Sequence, residues 1–528
     1  MSTIINERLS DSYNETPYHS HPFQQSTPEH LSAIATLFNV TSVPIEQARI
    51  LEIGCASGGN IIPLALRFPQ AKITGIDLSQ VHIAEGQANV TRLGLENISL
   101  LERDLSKLTP DFGTFDYIIA HGVYSWIPEE VQAGLMRICG ENLSENGLAY
   151  ISYNTYPGWK YREVIRDAMM FRGASRDTPQ EKLSYARGMI DFLHDYSHPD
   201  SLTRKNIDEV LPILKSSQDY YLIHEFLEHC NNPCYFHELI ARAKDNGLHY
   251  LAESHLPGMF LSNFSAEITE PLLRECRGSQ IAVEQHLDFL TGRSFRQTIL
   301  LKATRAHEIN YQLNMTQLQK LHYAGVFKAK TPDNNENGPL IFTPMNKVEI
   351  QFTHPLAEIA AQILDEHYPS TLQIVELTQL AKQRSQQSGQ NFTDEECLTT
   401  VALFIENMII KGMIRTRSNP VKLDTQIAEY PLRHEQVCQT ETKSDAYTNV
   451  WHETIHLNVV EKSIFHLLDG RHSHAQLHAQ LLQDVANGLI TFSNQGVQVT
   501  DPEKITLHAQ EHLQASLYNL KRNGLLAR

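Results

Sequence analysis

Residues 49–60, Arg49-Ile50-Leu51-Glu52-Ile53-Gly54-Cys55-Ala56-Ser57-Gly58-Gly59-Asn60, join a short apolar run to a glycine-rich turn, and a helix-compatible stretch then continues to Phe68. Strand, glycines, helix: that order places bare backbone at a helix N-terminus, where N–H groups and the helix dipole can face a ligand. Gly54 allows the tight turn, and Gly58 and Gly59 let a ligand lie against the peptide. The pattern is Glu-x-Gly-x-x-x-Gly-Gly. It is not the Gly-x-Gly-x-x-Gly of a dinucleotide site, and it lacks the Gly-Lys-Ser/Thr that would grip a triphosphate.

Outward from this turn the same alternation repeats. KITGID (72–77) reads as a second strand, and Ser79 as the N-cap of a helix running to about Leu93. ISLLE (98–102), FDYIIA (115–120), a helix over 129–141, the turn SENG and the strand LAYISY (148–153) follow. Strands alternating with helices of this length predict a doubly wound parallel sheet over residues 41–165, preceded by a polar, aromatic N-terminal arm over 1–40. From 166 to 325 the apolar spacing turns helical, as in SYARGMIDFLHDY, YYLIHEFLEHC and FHELIARAKDNGL. Three short β-rich runs lie between Phe327 and Phe352, split by the loop TPDNNENGP (331–339). Further on, FIENMIIKGMIR (404–415) resembles SLYNLKRNGLLA (516–527), with Gly412 matching Gly524. Each copy follows an apolar helix, near 355–367 and 459–469, which predicts two winged-helix-like units over 340–420 and 430–528.

Composition bounds the function. A length of 528 residues predicts three or four domains, and 41% hydrophobic with 20% charged residues is ordinary globular chemistry. With 44 Lys+Arg against 61 Asp+Glu the net charge is −17, which disfavours nucleic acid and leaves the winged helices better suited to protein contact. No apolar run is long enough to span a bilayer, and Met1–Ser10 lacks the apolar segment of a signal peptide. Seven scattered cysteines fit free thiols in a reducing, cytoplasmic setting.

Two carboxylates follow the glycine turn at telling places. Asp77 ends the second strand, where it can accept both hydroxyls of a ribose, and Asp104 follows the third, where it can accept from an exocyclic adenine amine. The strand FDYII then leads into His121-Gly122-Val123-Tyr124. In this order the features resemble the class I S-adenosylmethionine-dependent methyltransferases, over roughly residues 45–160. The resemblance implies a Rossmann-like fold and S-adenosylmethionine as cofactor. It puts Glu52, Gly54 and Gly58 at the methionine end, Asp77 at the ribose and Asp104 at the adenine, with Cys55, Ala56, Leu78 and Leu105 among the cofactor-binding residues. Tyr18 and His121 would be further cofactor contacts. Against these roles stand a surface cap for Glu52 and an Asx turn for Asp104.

On the acceptor side, Tyr153-Asn154-Thr155-Tyr156-Pro157-Gly158-Trp159 follows the fifth strand. Its Asn-Thr-Tyr-Pro core is similar to the tetrapeptide of adenine-amine methyltransferases, but that motif follows the fourth strand, so nucleobase methylation is set aside. The stretches YNETPYHSHPF (13–23), HGVYSWIP (121–128), YNTYPGW (153–159), YLIHEFLEHCNNPCYFHEL (221–239) and FLTGRSFRQTIL (289–300) resemble bacterial methyltransferases that carry a methyltransferase regulatory domain. That group includes rickettsial protein lysine methyltransferases acting on outer-membrane proteins, which implies N-methylation of lysine on a protein partner, with a homodimer left open. Methyl transfer needs an aligned nucleophile and excluded water, and a lysine ammonium must first lose a proton. Catalytic candidates are His121 as general base, Tyr124, Tyr153, Tyr156 and Trp159, which with Tyr18 and Trp126 could build an aromatic channel, and Asn154, which like the tyrosine hydroxyls could accept hydrogen bonds. Packing of the sheet edge is the alternative for each aromatic. A small-molecule methyltransferase, a cofactor-sensing regulatory protein and a DNA-binding regulator are the rival functions. His229-Cys230-x3-Cys234-x2-His237 and His472-x-His474-x3-His478 hold ligand-type residues without metal-site spacing, so no metal is expected.

Overall fold

The computed structural model describes residues 20–228, 230–330, 340–439, 445–494 and 497–528. The chain divides into two compact units, one of residues 1–20, 42–61 and 70–309, the other of residues 21–41, 62–69 and 310–528.

The first unit is built on one seven-stranded sheet. Its elements in chain order begin with β1 (Arg49–Ile53), β2 (Lys72–Asp77), α1 (Gln80–Leu93), β3 (Ile98–Glu102), β4 (Phe115–Ala120), α2 (Glu129–Asn142) and β5 (Leu143–Asn154). A helical stretch follows, α3 (Gly158–Gly173), α4 (Pro179–Tyr196), α5 (Leu202–Ser216), α6 (Asp219–Phe226) and α7 (Phe236–Asp245). Then come β6 (Leu248–Glu253), α8 (Ala266–Cys276), α9 (Gln280–Thr291) and β7 (Phe295–Lys302). Strand order is β3-β2-β1-β4-β5-β7-β6. The pairs among β1 to β5 are parallel, and β7 runs antiparallel to both neighbours.

The central strands are apolar on both faces because helices cover both sides, and every residue of β4 is buried. Ser79 accepts from His82 N at 3.2 Å and starts α1; Gly94, at φ +65°, ends it in the left-handed conformation that closes a helix at little steric cost. Strand order reverses between β1 and β4, so the loops after these two strands part there and leave a crevice at their carboxyl ends.

Three expectations change. The tetrapeptide SENG is not a turn but part of β5, with a shift in register against β4 between Phe115 and Tyr117. The division at residue 165 separates strands that share one sheet, since β6 and β7 arise within the supposedly helical 166–325. Only α3 to α6 form a helical body, around Ile165, Met169, Leu183, Ile190, Ile207, Leu222 and Phe226. And residues 28–37, read as part of an arm, are a helix with Leu31, Ile34 and Leu37 buried.

That helix, Pro28–Leu37, belongs to the second unit together with the helix Ile62–Arg67. There the helices Pro355–His367, Ile374–Gln387 and Asp394–Ile410 are followed by a strand, Arg415–Arg417, paired antiparallel with His322–Ala324. A second set follows: a hairpin of Ala446–Thr448 with Thr454–His456, the helices Val459–Phe465 and His474–Ala486, the antiparallel pair Ser493–Asn494 with Val497–Gln498, and the helix Pro502–Arg522. Gly412 at φ +64° and Gly524 at φ +68° end the last helix of each set, as the sequence repeat implied. The core of the second set is Ile464, Phe465, Leu477, Leu481, Leu513, Leu517 and Leu525. Among the described residues no helix is long and apolar enough to cross a membrane.

Candidate active site

The carboxyl ends of β1 to β5 carry the residues singled out from the sequence. The glycine loop leaves β1 with Gly54 at φ +72°, and both Gly54 N and Cys55 N donate to Ile76 O, at 2.8 and 3.0 Å. A Cβ on Gly54 would stand 2.5 Å from Val123 Cγ2, so the loops after β1 and β4 meet where only a glycine fits. Ala56 takes φ +45°, costly for a residue with a side chain, and Gly58 takes φ +81°. Ala56 N donates to Asp77 Oδ2 at 2.9 Å and Ser79 N to Asp77 Oδ1 at 2.9 Å, so backbone on either side fixes this carboxylate. The open face expected at Gly59 is instead filled: its N–H donates to Ser20 Oγ at 2.7 Å, and a Cβ there would stand 2.3 Å from Ser20 O. Tyr18, two residues earlier, lies outside the described residues.

Glu52 is buried, not a surface cap. Its Oε1 accepts from Asn60 Nδ2 at 2.7 Å, while Oε2 has no partner among the described residues. Burial, only partly offset by Asn60 and reinforced by the nearby Asp77 charge, pushes its carboxyl up to about 8. A buried, orphaned carboxyl oxygen beside a second acid fits a ligand that carries positive charge, and a loop with three positive φ angles fits one that lies against peptide. Burial holds the Cys55 thiol well above its ordinary range, so it stays protonated.

Leu78 follows β2, half-buried, and Asp104 and Leu105 follow β3 alongside, Asp77 being in register with Glu102. Asp104 does cap a turn: Oδ1 accepts from Ser106 N at 2.9 Å and from Ser106 Oγ at 2.6 Å, and Lys107 Nζ lies 3.5 Å from Oδ2. Burial opposes ionisation of Asp104, but the Ser106 hydrogen bonds and Lys107 outweigh it and hold the carboxyl below its ordinary range.

After β4, His121 Nδ1 lies 2.9 Å from Tyr150 OH, with the two rings stacked at 5.9 Å. Burial pushes the imidazole down to about 4, so at neutral pH it is uncharged and only a weak base, at odds with the general-base role expected of it. Tyr124, Tyr153 and Trp159 are fully buried. Tyr124 OH accepts from Arg242 at 2.9 Å; burial, which Arg242 only partly offsets, raises its phenol to about 12. Tyr153 OH accepts from Thr298 Oγ1 at 3.4 Å. Burial of these three rings is in keeping with the packing alternative weighed for each. Trp126 meets Trp159 edge-on at 6.3 Å.

The stretch between α6 and α7 runs along this edge. Asn232 N donates to Ser125 O at 2.7 Å, Asn231 Oδ1 accepts from Asn154 Nδ2 at 3.1 Å, and Cys234 O accepts from Thr155 Oγ1 at 2.8 Å and from Tyr156 N at 3.2 Å. Tyr156 OH donates to Glu163 at 2.5 Å. The metal-like cluster is thus part of this crossing. The backbone of Cys234 bonds the end of β5 while its thiol is free, His237 stacks on Tyr235 at 5.6 Å, and His229 lies outside the described residues. Farther along the chain, His472 bonds Asp469, His474 bonds Ala428 O and His478 bonds Thr506 O.

Sequence reasoning passed over Glu225 on α6. Burial, with Arg162 pulling the other way, raises its carboxyl to about 7, and the Arg162 guanidinium lies 5.9 Å from the Trp159 ring. Glu225 lay inside the stretch 221–239, but no periodicity shows that α6 packs against α3, where Arg162 stands. Asn60, Ser20 and Tyr235 also stand within stretches singled out above, but no spacing shows which side chain or backbone group each one meets.

Comparison with known proteins finds matches to three stretches of the chain. Residues 50–147 match the family described as a methyltransferase domain, 218–302 a predicted methyltransferase regulatory domain, and 429–525 the PKMT C-terminal winged helix domain. An uncharacterized protein of Rickettsia prowazekii is 32% identical over 97% of this chain and 93% of its own length. A second from the same organism is 35% identical over 46% of this chain and 97% of its own. The structure of PKMT2 from Rickettsia typhi in complex with AdoHcy superposes with a TM-score of 0.86 at 27% identity, covering 97% of this chain and all of that one.

Proposed function

Because this chain belongs to the family of class I S-adenosylmethionine-dependent methyltransferases that carry a methyltransferase regulatory domain and a PKMT-type winged helix, we propose that it N-methylates lysine side chains of a protein in the cytoplasm. The observation that carries this reading is the full-length agreement with PKMT2 of Rickettsia typhi, which extends through the regulatory stretch and the winged helix as well as the cofactor fold. The seven cysteines, all free, are in keeping with the compartment.

We assign the cofactor to the crevice between the loops after β1 and β4. S-adenosylmethionine supplies an electrophilic methyl group on a positively charged sulfur. Glu52 faces the positive end, with Gly54, Cys55, Ala56 and Gly58 offering peptide surface. Asp77, already fixed by two backbone N–H groups, has lone pairs left for ribose hydroxyls, while Leu78, Leu105 and Asp104 border the adenine. His121 holds a neutral ring in place through Tyr150. On the acceptor side the amine must lose a proton before it can attack, and Glu225, whose carboxyl is raised close to neutrality, takes that proton in place of His121. Trp126, half-buried and backed by Trp159, keeps the approach apolar, which favours the neutral amine.

Incubation of the full chain with methyl-labelled cofactor and a bacterial lysate, followed by mass spectrometry of the proteins, tests the reading. Methylated lysines on proteins are expected. Label confined to the small-molecule fraction, or to side chains other than lysine, would overturn it.

A further inference from the structure

Tyr156 stands two residues beyond β5, at the sheet edge that carries the glycine loop. Its ring faces that of Tyr235, from the regulatory stretch, at 5.3 Å and 56°. Phe289 packs against Tyr235 at 5.5 Å. Into this angle projects the ammonium of Lys160, 4.0 Å from the Tyr156 centroid and 6.0 Å from that of Tyr235.

Nothing else explains the position of this lysine. It is exposed and makes no ion pair with any described residue. It lies in the first turn of α3, where the helix dipole disfavours a cation. Its attraction is to the two ring faces. The surroundings suit a cation of low hydration. Glu163 accepts from the Tyr156 hydroxyl at 2.5 Å, and Glu238 accepts from the Tyr235 backbone N–H at 2.8 Å, so a carboxylate is bonded to each of the two tyrosines. An unmodified ammonium is strongly hydrated and gives up much on leaving water. A methylated one is bulkier, more weakly hydrated and better matched to aromatic faces.

We propose that Tyr156 and Tyr235 form a binding subsite for methylated lysine, occupied by Lys160 in the substrate-free chain and yielded to the methylated side chain of the acceptor. The inference rests on the lysine reading above and deepens it. A site that prefers the modified side chain holds the product near the cofactor edge, and Lys160 competes for it and eases release.

Calorimetric titration of the full chain with Nα-acetyl-Nε-trimethyllysine amide, and with its unmethylated counterpart, tests this without any turnover. The trimethylated compound is expected to bind at least fivefold more tightly than the unmethylated one. Lys160→Gln, an exposed substitution, is expected to strengthen binding of the trimethylated compound severalfold, and Tyr235→Leu to weaken it at least tenfold. Equal affinity for the two compounds, or trimethyllysine affinity unmoved by Lys160→Gln, would overturn the proposal even if Tyr235→Leu failed to fold. Lysine methylation in the lysate without this preference would defeat the subsite alone. The preference without lysine methylation would defeat the acceptor assignment alone.

Discussion

Glu52 is a carboxyl group held out of water beside another acid, with one oxygen unpaired. With its folded value raised to about 8 against an ordinary 4.5, stability is full below the lower value and falls as pH rises through the upper one, so the ligand-free chain should melt lower at pH 8.5 than at pH 6. A cation that requires the ionised form must expel the proton below about 8, so affinity for S-adenosylmethionine should rise with pH by up to about tenfold per unit and level off above that value. Glu52→Gln should flatten both dependences and weaken binding, as calorimetry and melting curves at several pH values would report. Asp77→Ala should abolish measurable cofactor binding, because it removes the proposed ribose acceptor and releases Ala56 N and Ser79 N together. Glu225 predicts an acid limb: the group must be ionised to take a proton, so turnover should fall below about pH 7, and Glu225→Gln should lower the rate at least tenfold and erase that limb. At this scale the sequence was most legible in the carboxylates, whose places at strand ends follow from the alternation. It was least so in Tyr124, Tyr153 and Trp159, whose motif fixes where they stand in the chain but not which way each ring turns.

Among the elements, the loop after β1 makes the most exacting demand. Gly54→Ala would meet Val123 at 2.5 Å and force a left-handed backbone that alone costs about 1–2 kcal/mol. The variant should melt lower and lose cofactor affinity together, and a loss of one without the other would show that the loops after β1 and β4 act independently. Strands β1 to β4 were legible to the residue because each is a short apolar run bounded by polar turns. The start of β5 was not, since Ser144, Glu145 and Asn146 are polar and read as a turn, while their pairing with β4 is set by the neighbouring strand. Strands β6 and β7 were hidden for a different reason. Helical spacing on either side of them dominates the pattern, and a strand that adds to an existing sheet needs little alternation of its own.

In the second unit, charges far apart in sequence define one core. Glu29 Oε1 meets Arg417 at 2.7 Å and Arg67 at 3.1 Å, both guanidiniums reach Val450 O, and all three side chains are buried. Burial opposes ionisation of Glu29, yet the two arginines hold its carboxyl below the ordinary range. Glu29→Gln would leave two arginines without a counter-ion and should destabilise this unit by about 3–5 kcal/mol, read by chemical denaturation. No spacing rule joins positions 29, 67 and 417, so this cluster was invisible in the sequence, whereas the paired Gly412 and Gly524 were visible because each sits in a repeat. The course of the chain has a consequence for anyone who would shuffle its parts. Residues 21–41 and 62–69 belong to the body completed by 310–528, so the polypeptide passes between the two bodies repeatedly before it settles into either. A single cut therefore cannot yield an autonomous catalytic half, and a graft that exchanged only the tail would strand Glu29 and Arg67 without their complement. Lineages that swap this tail should have to exchange the two early segments with it.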